Sequence, residues 1–189
     1  MRTSFAFVAG VEKRHDPNIG GQLVNDRYPN LPSAFAGMTV AKTFREMCVG
    51  WFQAAKVFLQ RDGYHTPMAI VGTDRAPLMF QLRPADRADQ HAMMRDLASR
   101  CERAQARWCV FISEAWTARA GSPYKHAAHD PRRGEALVLY GIHADGTKIL
   151  CRAVCSRAGK NIVLQPEEVS EGSIPPAMGA IDRALRRAD

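Results

Sequence analysis

Ser113, Glu114 and Trp116 stand at the end of the apolar run Trp108 to Ile112. A polar segment then brings His126, His129, Asp130, Arg132 and Arg133 before Glu135 opens the next apolar run. Loops at strand ends commonly carry function. In an antiparallel pairing, Glu114 and Glu135 come close across the mouth of this loop. Paired carboxylates, with Asp130 as a third, could hold a divalent cation or serve as general acid and base in a hydrolysis. Arg132 and Arg133 could then neutralise a phosphate, with Trp116 beside it. That is the catalytic reading: a metal-dependent hydrolase or nuclease on Glu114, Asp130 and Glu135. The competing reading is structural. The two glutamates form salt bridges to Arg132 and Arg133 and lock the loop, and Trp116 packs over it as a lid.

The remaining reactive side chains offer less. His126 and His129 have a spacing that zinc sites use, but no second Cys or His pair lies near them in sequence, and a metal-free surface pair fits better. Ser113 is a nucleophile by position only. Cys151 and Cys155 fall on one face of a strand, too far apart for a direct disulfide. The five cysteines, Cys48, Cys101, Cys109, Cys151 and Cys155, are an odd set without disulfide density. Four of them lie in apolar patterns where a thiol acts as a small hydrophobe, which points to a reducing, cytoplasmic setting. There is no Gly-x-Ser-x-Gly elbow, no Walker loop and no Gly-x-Gly-x-x-Gly, and no cofactor is called for.

The elements that must position these residues follow from periodicity. Lys42 to Arg61 carries Phe44, Met47, Cys48, Trp51, Phe52, Ala55, Phe58 and Leu59 on one helical stripe, and Asp62-Gly63 stops it. Pro67 to Thr73 and Pro77 to Arg83 read as a hairpin around Asp74-Arg75-Ala76. Asp86 caps a second helix reaching about Ala106, with Met93, Met94, Leu97, Ala98, Cys101 and Ala104 at helical spacing. Arg107 to Ala115 is apolar enough for a central strand covered on both faces, and a loop of roughly 117 to 133 follows. Glu135 to Ala144 and Thr147 to Ser156 form a hairpin on Asp145-Gly146. Asn161 to Gln165 could add a short edge. Pro175 to Arg187 closes with a small helix on a Ser173 cap.

The fold expected is α+β: a single antiparallel sheet of about five strands with two long helices packed on it, in the order α-β-β-α-β-β-β-α. This order resembles the roadblock and profilin-like scaffolds over residues 42 to 187, as topology alone. Residues 1 to 40, rich in breakers such as Asp16-Pro17 and Tyr28-Pro29-Asn30-Leu31-Pro32, read as a flexible arm. Met38 is an alternative start, and 41 to 189 form the single domain. The phrase Ser-Glu-Ala-Trp (113–116), then Asp-Pro-Arg-Arg-Gly-Glu-Ala-Leu (130–137), resembles uncharacterised bacterial and phage-encoded proteins over residues 52 to 155. That resemblance implies no activity or ligand.

At 189 residues, 46% hydrophobic and 24% charged, the chain has the composition of one globular domain. No run reaches the roughly 20 apolar residues of a membrane span. The net charge of +7 admits nucleic acid as a partner, through Arg95, Arg103 and Arg107 on the second helix. The arginines are nevertheless spread along the chain, as on solvated helix faces. The leading expectation is a non-enzymatic binding or regulatory module, with a homodimer plausible through a free sheet edge or helix face.

Overall fold

The computed structural model describes residues 42–73, 77–118, 122–123, 127–158 and 161–187. The expected arm, the turn Asp74-Arg75-Ala76 and His126 lie outside the described residues.

Helix α1, Phe44–Asp62, starts where its sequence supplies a cap. The Thr43 side chain accepts from the Glu46 N–H at 3.1 Å, and the Glu46 carboxylate accepts from the Lys42 N–H at 2.8 Å. Each satisfies a backbone donor that the first helical turn or its approach leaves open. Gly63 ends the helix in the left-handed region, φ +80°, its N–H donating to the Leu59 carbonyl. Thr43→Ala is expected to lower stability by about 1 kcal/mol, measured as a shift of the urea midpoint; an unchanged midpoint would show the Thr43 cap to be idle.

The hairpin β1 (Met68–Gly72) and β2 (Leu78–Gln81) follows, then helix α2 (Arg87–Arg103), capped by the Asp86 side chain. Strands β3 (Trp108–Thr117), β4 (Gly134–His143) and β5 (Lys148–Ala158) form the middle of the sheet. Short strands β6 (Asn161–Leu164) and β7 (Glu168–Glu171) and helix α3 (Gly179–Arg186) complete the chain. All pairings are antiparallel, in the order β2-β1-β3-β4-β5-β6. β7 pairs with the first half of β5 and β6 with the second. The two short strands therefore lie in line along the outer side of β5, interrupted at Pro166, which has no N–H to give a ladder.

The α+β class, the single antiparallel sheet and the two long helices with a small closing one agree with the sequence, but the sheet has seven strands rather than about five, and the closing helix is entered differently. β7 has no apolar alternation of its own and is held by pairing to β5. The closing segment is a 3-10 turn, Pro176–Met178, running into α3, and neither part has a side-chain cap, so Ser173 does not have the expected role.

Helices cover both faces of the sheet. α1 buries Cys48, Phe52, Ala55 and Leu59 on Ile70, Val110, Ile112, Leu137, Leu139 and Cys151. On the opposite face α2 and α3 place Met94, Leu97, Cys101, Ile181 and Leu185 on Val71, Phe111, Val138, Tyr140 and Ile142. β3 and β4 are accordingly buried almost continuously, whereas β5 alternates, with Ile149, Cys151, Ala153 and Cys155 turned to the α1 face. Gly141 on β4 sets how near α1 can come: a Cβ there would stand 2.5 Å from Cys48 Sγ and 3.0 Å from the Phe44 ring.

Candidate functional site

β3 runs two residues further than its apolar pattern suggests, to Thr117, so Glu114 and Trp116 belong to the strand and not to a loop mouth. Alternation turns both to the α1 face, along with Val110 and Ile112. Register puts Trp116 directly opposite Glu135 and Glu114 opposite Leu137, so the two glutamates are diagonal neighbours. Glu135 in turn faces Cys155 on β5, and Arg157, two residues on, shares that face.

Arg157 closes the cluster. Its Nε donates to Glu135 Oε2, its Nη2 to Glu114 Oε2, and its Nη1 to the Gly63 carbonyl at 2.5 Å. Glu114 Oε1 accepts from the His65 backbone N–H at 2.5 Å. One guanidinium thus joins the ends of β3, β4 and β5 to the loop that leaves α1. A planar fork of five N–H donors suits two carboxylates and a carbonyl together. The Glu114 carboxyl is held above its usual range, because burial and the neighbouring Glu135 outweigh the His65 and Arg157 bonds that favour its charged form. Burial also pushes the neighbouring Cys155 thiol up to about 11, so it is protonated at neutral pH and no nucleophile.

Arg132 and Arg133 are not the partners of these glutamates. The Arg133 guanidinium lies over the Trp116 ring, 4.5 Å from its centroid, a cation–π contact. Arg132 belongs with Asp130: its backbone N–H donates to Asp130 Oδ1 at 2.8 Å, and its side chain lies 3.7 Å from the same atom. Asp130 is buried, and Ser122 Oγ donates to its other oxygen at 2.7 Å. These bonds, the Ser122 hydroxyl first, hold its carboxyl below the usual range. Asp130 is thus bonded within its own loop, apart from the Arg157 cluster. His129 is exposed on the short turn Ala127–His129. Among the described residues no group of three or more His, Cys, Asp or Glu is placed to hold a metal ion. Ser113 is fully buried on the other face of β3, with no bond to its hydroxyl among the described residues.

Two residues the sequence reading passed over matter here. Arg157 falls beyond the expected end of β5 at Ser156, yet alternation from Cys151, Ala153 and Cys155 leads to it. His65 stands alone in sequence and gains its place from the loop between α1 and β1.

Fold and cluster together define an α+β protein with one antiparallel sheet between helices, its charged groups closed on one another at one end of that sheet. The chain belongs to the family described as bacteriophage lambda protein ea47, whose model matches residues 21–187. The phage connection drawn from the shorter segment therefore holds at the level of the family. Searches of curated proteins and of solved structures give no match. Among the described residues no helix is long and apolar enough to cross a membrane.

Proposed function

We propose that the chain is a non-enzymatic binding or regulatory module, and that Glu114 and Glu135 serve in it as a structural clamp. The observation that carries this reading is the position of Arg157. Its guanidinium fills the space between the two carboxylates, where a hydrolase would need a divalent cation or a water. A cation entering there would have to displace three charge-assisted or carbonyl hydrogen bonds at once. Asp130, the third carboxylate of the hydrolytic reading, is committed to Ser122 and the Arg132 backbone.

The test is thermal unfolding of the full chain with Mg²⁺, Mn²⁺ or Zn²⁺. A ligand at one hundred times its Kd stabilises the native state by about 2.7 kcal/mol. The midpoint is expected to stay put with each metal, in the unaltered chain and in Glu114→Ala alike. Metal-dependent cleavage of a phosphodiester, lost in both Glu114→Ala and Glu135→Ala, would replace the module with the hydrolase.

A second reading, nucleic-acid binding, draws support from Arg95, Arg103 and Arg107, all exposed, with Arg95 and Arg103 two turns apart on α2. It ranks lower because Asp96 and Glu102 share that exposed side. It requires affinity that falls steeply with salt.

A further inference from the structure

On the face of the sheet opposite the clamp, α2 ends in a Schellman arrangement. The Gln105 N–H donates to the Glu102 carbonyl at 3.1 Å, and the Ala106 N–H to the Cys101 carbonyl at 2.9 Å. Gln105 takes the left-handed place that glycine usually fills, φ +49°. The chain is thereby turned directly from helix into strand, and residues 104–107 are the whole connection between α2 and β3. Cys101 stands in the last turn of α2 and Cys109 is the second residue of β3. Both are fully buried in the core between α2 and the sheet.

The two thiols meet in that core, the side chain of Cys109 hydrogen-bonded to that of Cys101. A single buried cysteine is ordinarily a small hydrophobe and nothing more. Two sulfurs facing each other across a helix–strand junction have already made most of the approach that a disulfide needs. The connection beside them also carries strain, since a residue with a Cβ in the left-handed region costs about 1–2 kcal/mol. That cost favours local opening at this end of the helix.

We propose that Cys101 and Cys109 are a redox-modification site, converted by a small disulfide oxidant into an intramolecular disulfide that ties the end of α2 to β3. The structure holds the reduced form, with both thiols free. The proposal goes beyond the reading of the chain as a binding module and does not depend on it. With α2 docked the pair is inert: the bond to Cys101 and burial keep Cys109 protonated, and the thiolate is the attacking form. When the turn opens, Cys101 loses its proton and attacks one sulfur of the oxidant. One thiol leaves, and Cys101 is held as a mixed disulfide. Cys109 then gives up its proton and attacks the Cys101 sulfur, which forms the bridge and releases the second thiol. The two cysteines give up two electrons and two protons, and the oxidant's disulfide takes up both as two thiols.

The test is incubation of the folded full chain with oxidised glutathione, then blocking of free thiols in denaturant, tryptic digestion and mass spectrometry. Arg100, Arg103, Arg107 and Arg119 are cleavage points. The expected product is therefore residues 101–103 joined to residues 108–119, with residues 104–107 released as a separate peptide. The oxidised chain should be lighter by two hydrogen atoms and should regain both thiols on reduction. Amides in the last turn of α2 should exchange at least about tenfold more slowly after oxidation. In Cys109→Ser, Cys101 is expected to stop at the glutathione mixed disulfide. All five cysteines still blockable in the unaltered chain, a lasting glutathione adduct there, or a main product bridged to Cys48, Cys151 or Cys155 would each overturn the proposal. Unchanged amide exchange in the bridged chain would do so too. The peptide map of the unaltered chain decides the matter even if Cys109→Ser does not fold.

Discussion

Arg157→Met is expected to lower the unfolding free energy by about 2–3 kcal/mol at neutral pH. Methionine keeps most of the apolar stem but removes every donor. Glu114 and Glu135 are then left as like charges on neighbouring strands, and the Gly63 carbonyl loses its partner. Removing one member of a fully buried ion pair costs about 3–5 kcal/mol. Here the side chains of Arg157, Glu114 and Glu135 retain 34%, 26% and 29% exposure, so solvent screens part of that loss. The signature is its pH dependence. Without the guanidinium, one carboxylate takes up a proton more readily, so the deficit should shrink as the pH is lowered towards about 5. Adding Glu135→Gln to Arg157→Met should recover part of the stability at pH 7. The measurement is urea unfolding of the three proteins across that range. A loss below about 0.5 kcal/mol, or one that does not vary with pH, would mean that the cluster is an ordinary surface ion pair. Amide exchange at His65 gives a local check, since its N–H is bonded to Glu114 and should lose protection in the variant.

The second large effect comes from His65 itself. A histidine titrates near 6.5 in the unfolded chain and near 4 in the fold. Between those values the unfolded state binds the proton and the native state does not, so stability falls as the pH falls. The contribution is complete above about pH 6.5, drains away towards pH 4, and amounts to roughly 3 kcal/mol over the whole window. Glu114 acts in the opposite sense, because a carboxyl held above its usual range loses stabilisation as the pH rises. It offsets part of the slope. The carboxylates held low by their partners, among them Glu167 beside Lys56 and Asp182 beside Lys148, contribute only at the acid end and below. Urea unfolding at about pH 7, 5.5 and 4.5 should therefore show a steady loss, and His65→Phe should flatten it. A slope that persists undiminished in His65→Phe would assign it to other groups.

Local signals in the sequence were dependable. The stripe from Phe44 to Leu59 and the stop at Gly63 depend on residues within a few turns of one another, and both appear as α1. The Asp145-Gly146 hairpin likewise rests on a local requirement, φ +93° at Gly146, and its turn fixes the register that brings Glu135 opposite Cys155. The approach of Glu114 to Glu135 was also legible, since it needs only that β3 and β4 pair. Their partner was not. Arg132 and Arg133 were favoured for being close in the chain, whereas Arg157 reaches the glutamates through the β4–β5 register and an extension of β5 past Ser156. His65 was hidden for a related reason: an isolated histidine acquires surroundings only when helix, hairpin and β3 meet. Asp130, expected in the loop as a third carboxylate beside the glutamates, is instead buried and bonded to Ser122 and the Arg132 backbone. β7 gave no signal because its residues, Glu168 to Glu171, suit an edge held from outside and not a strand with its own apolar side.

The two borders of the sheet are unlike. Along β5 the border is broken at Pro166 and flanked by Glu167, Glu168 and Glu171, of which Glu167 and Glu171 are engaged by Lys56 and Arg45 of α1. A strand arriving from another molecule would meet a missing N–H at Pro166 and carboxylates already bonded to α1 there. The opposite border is β2, Leu78–Gln81, which contains no charged residue and ends the order of strands among the described residues. Among the described residues, backbone pairing between copies would therefore use β2 and not the border along β5.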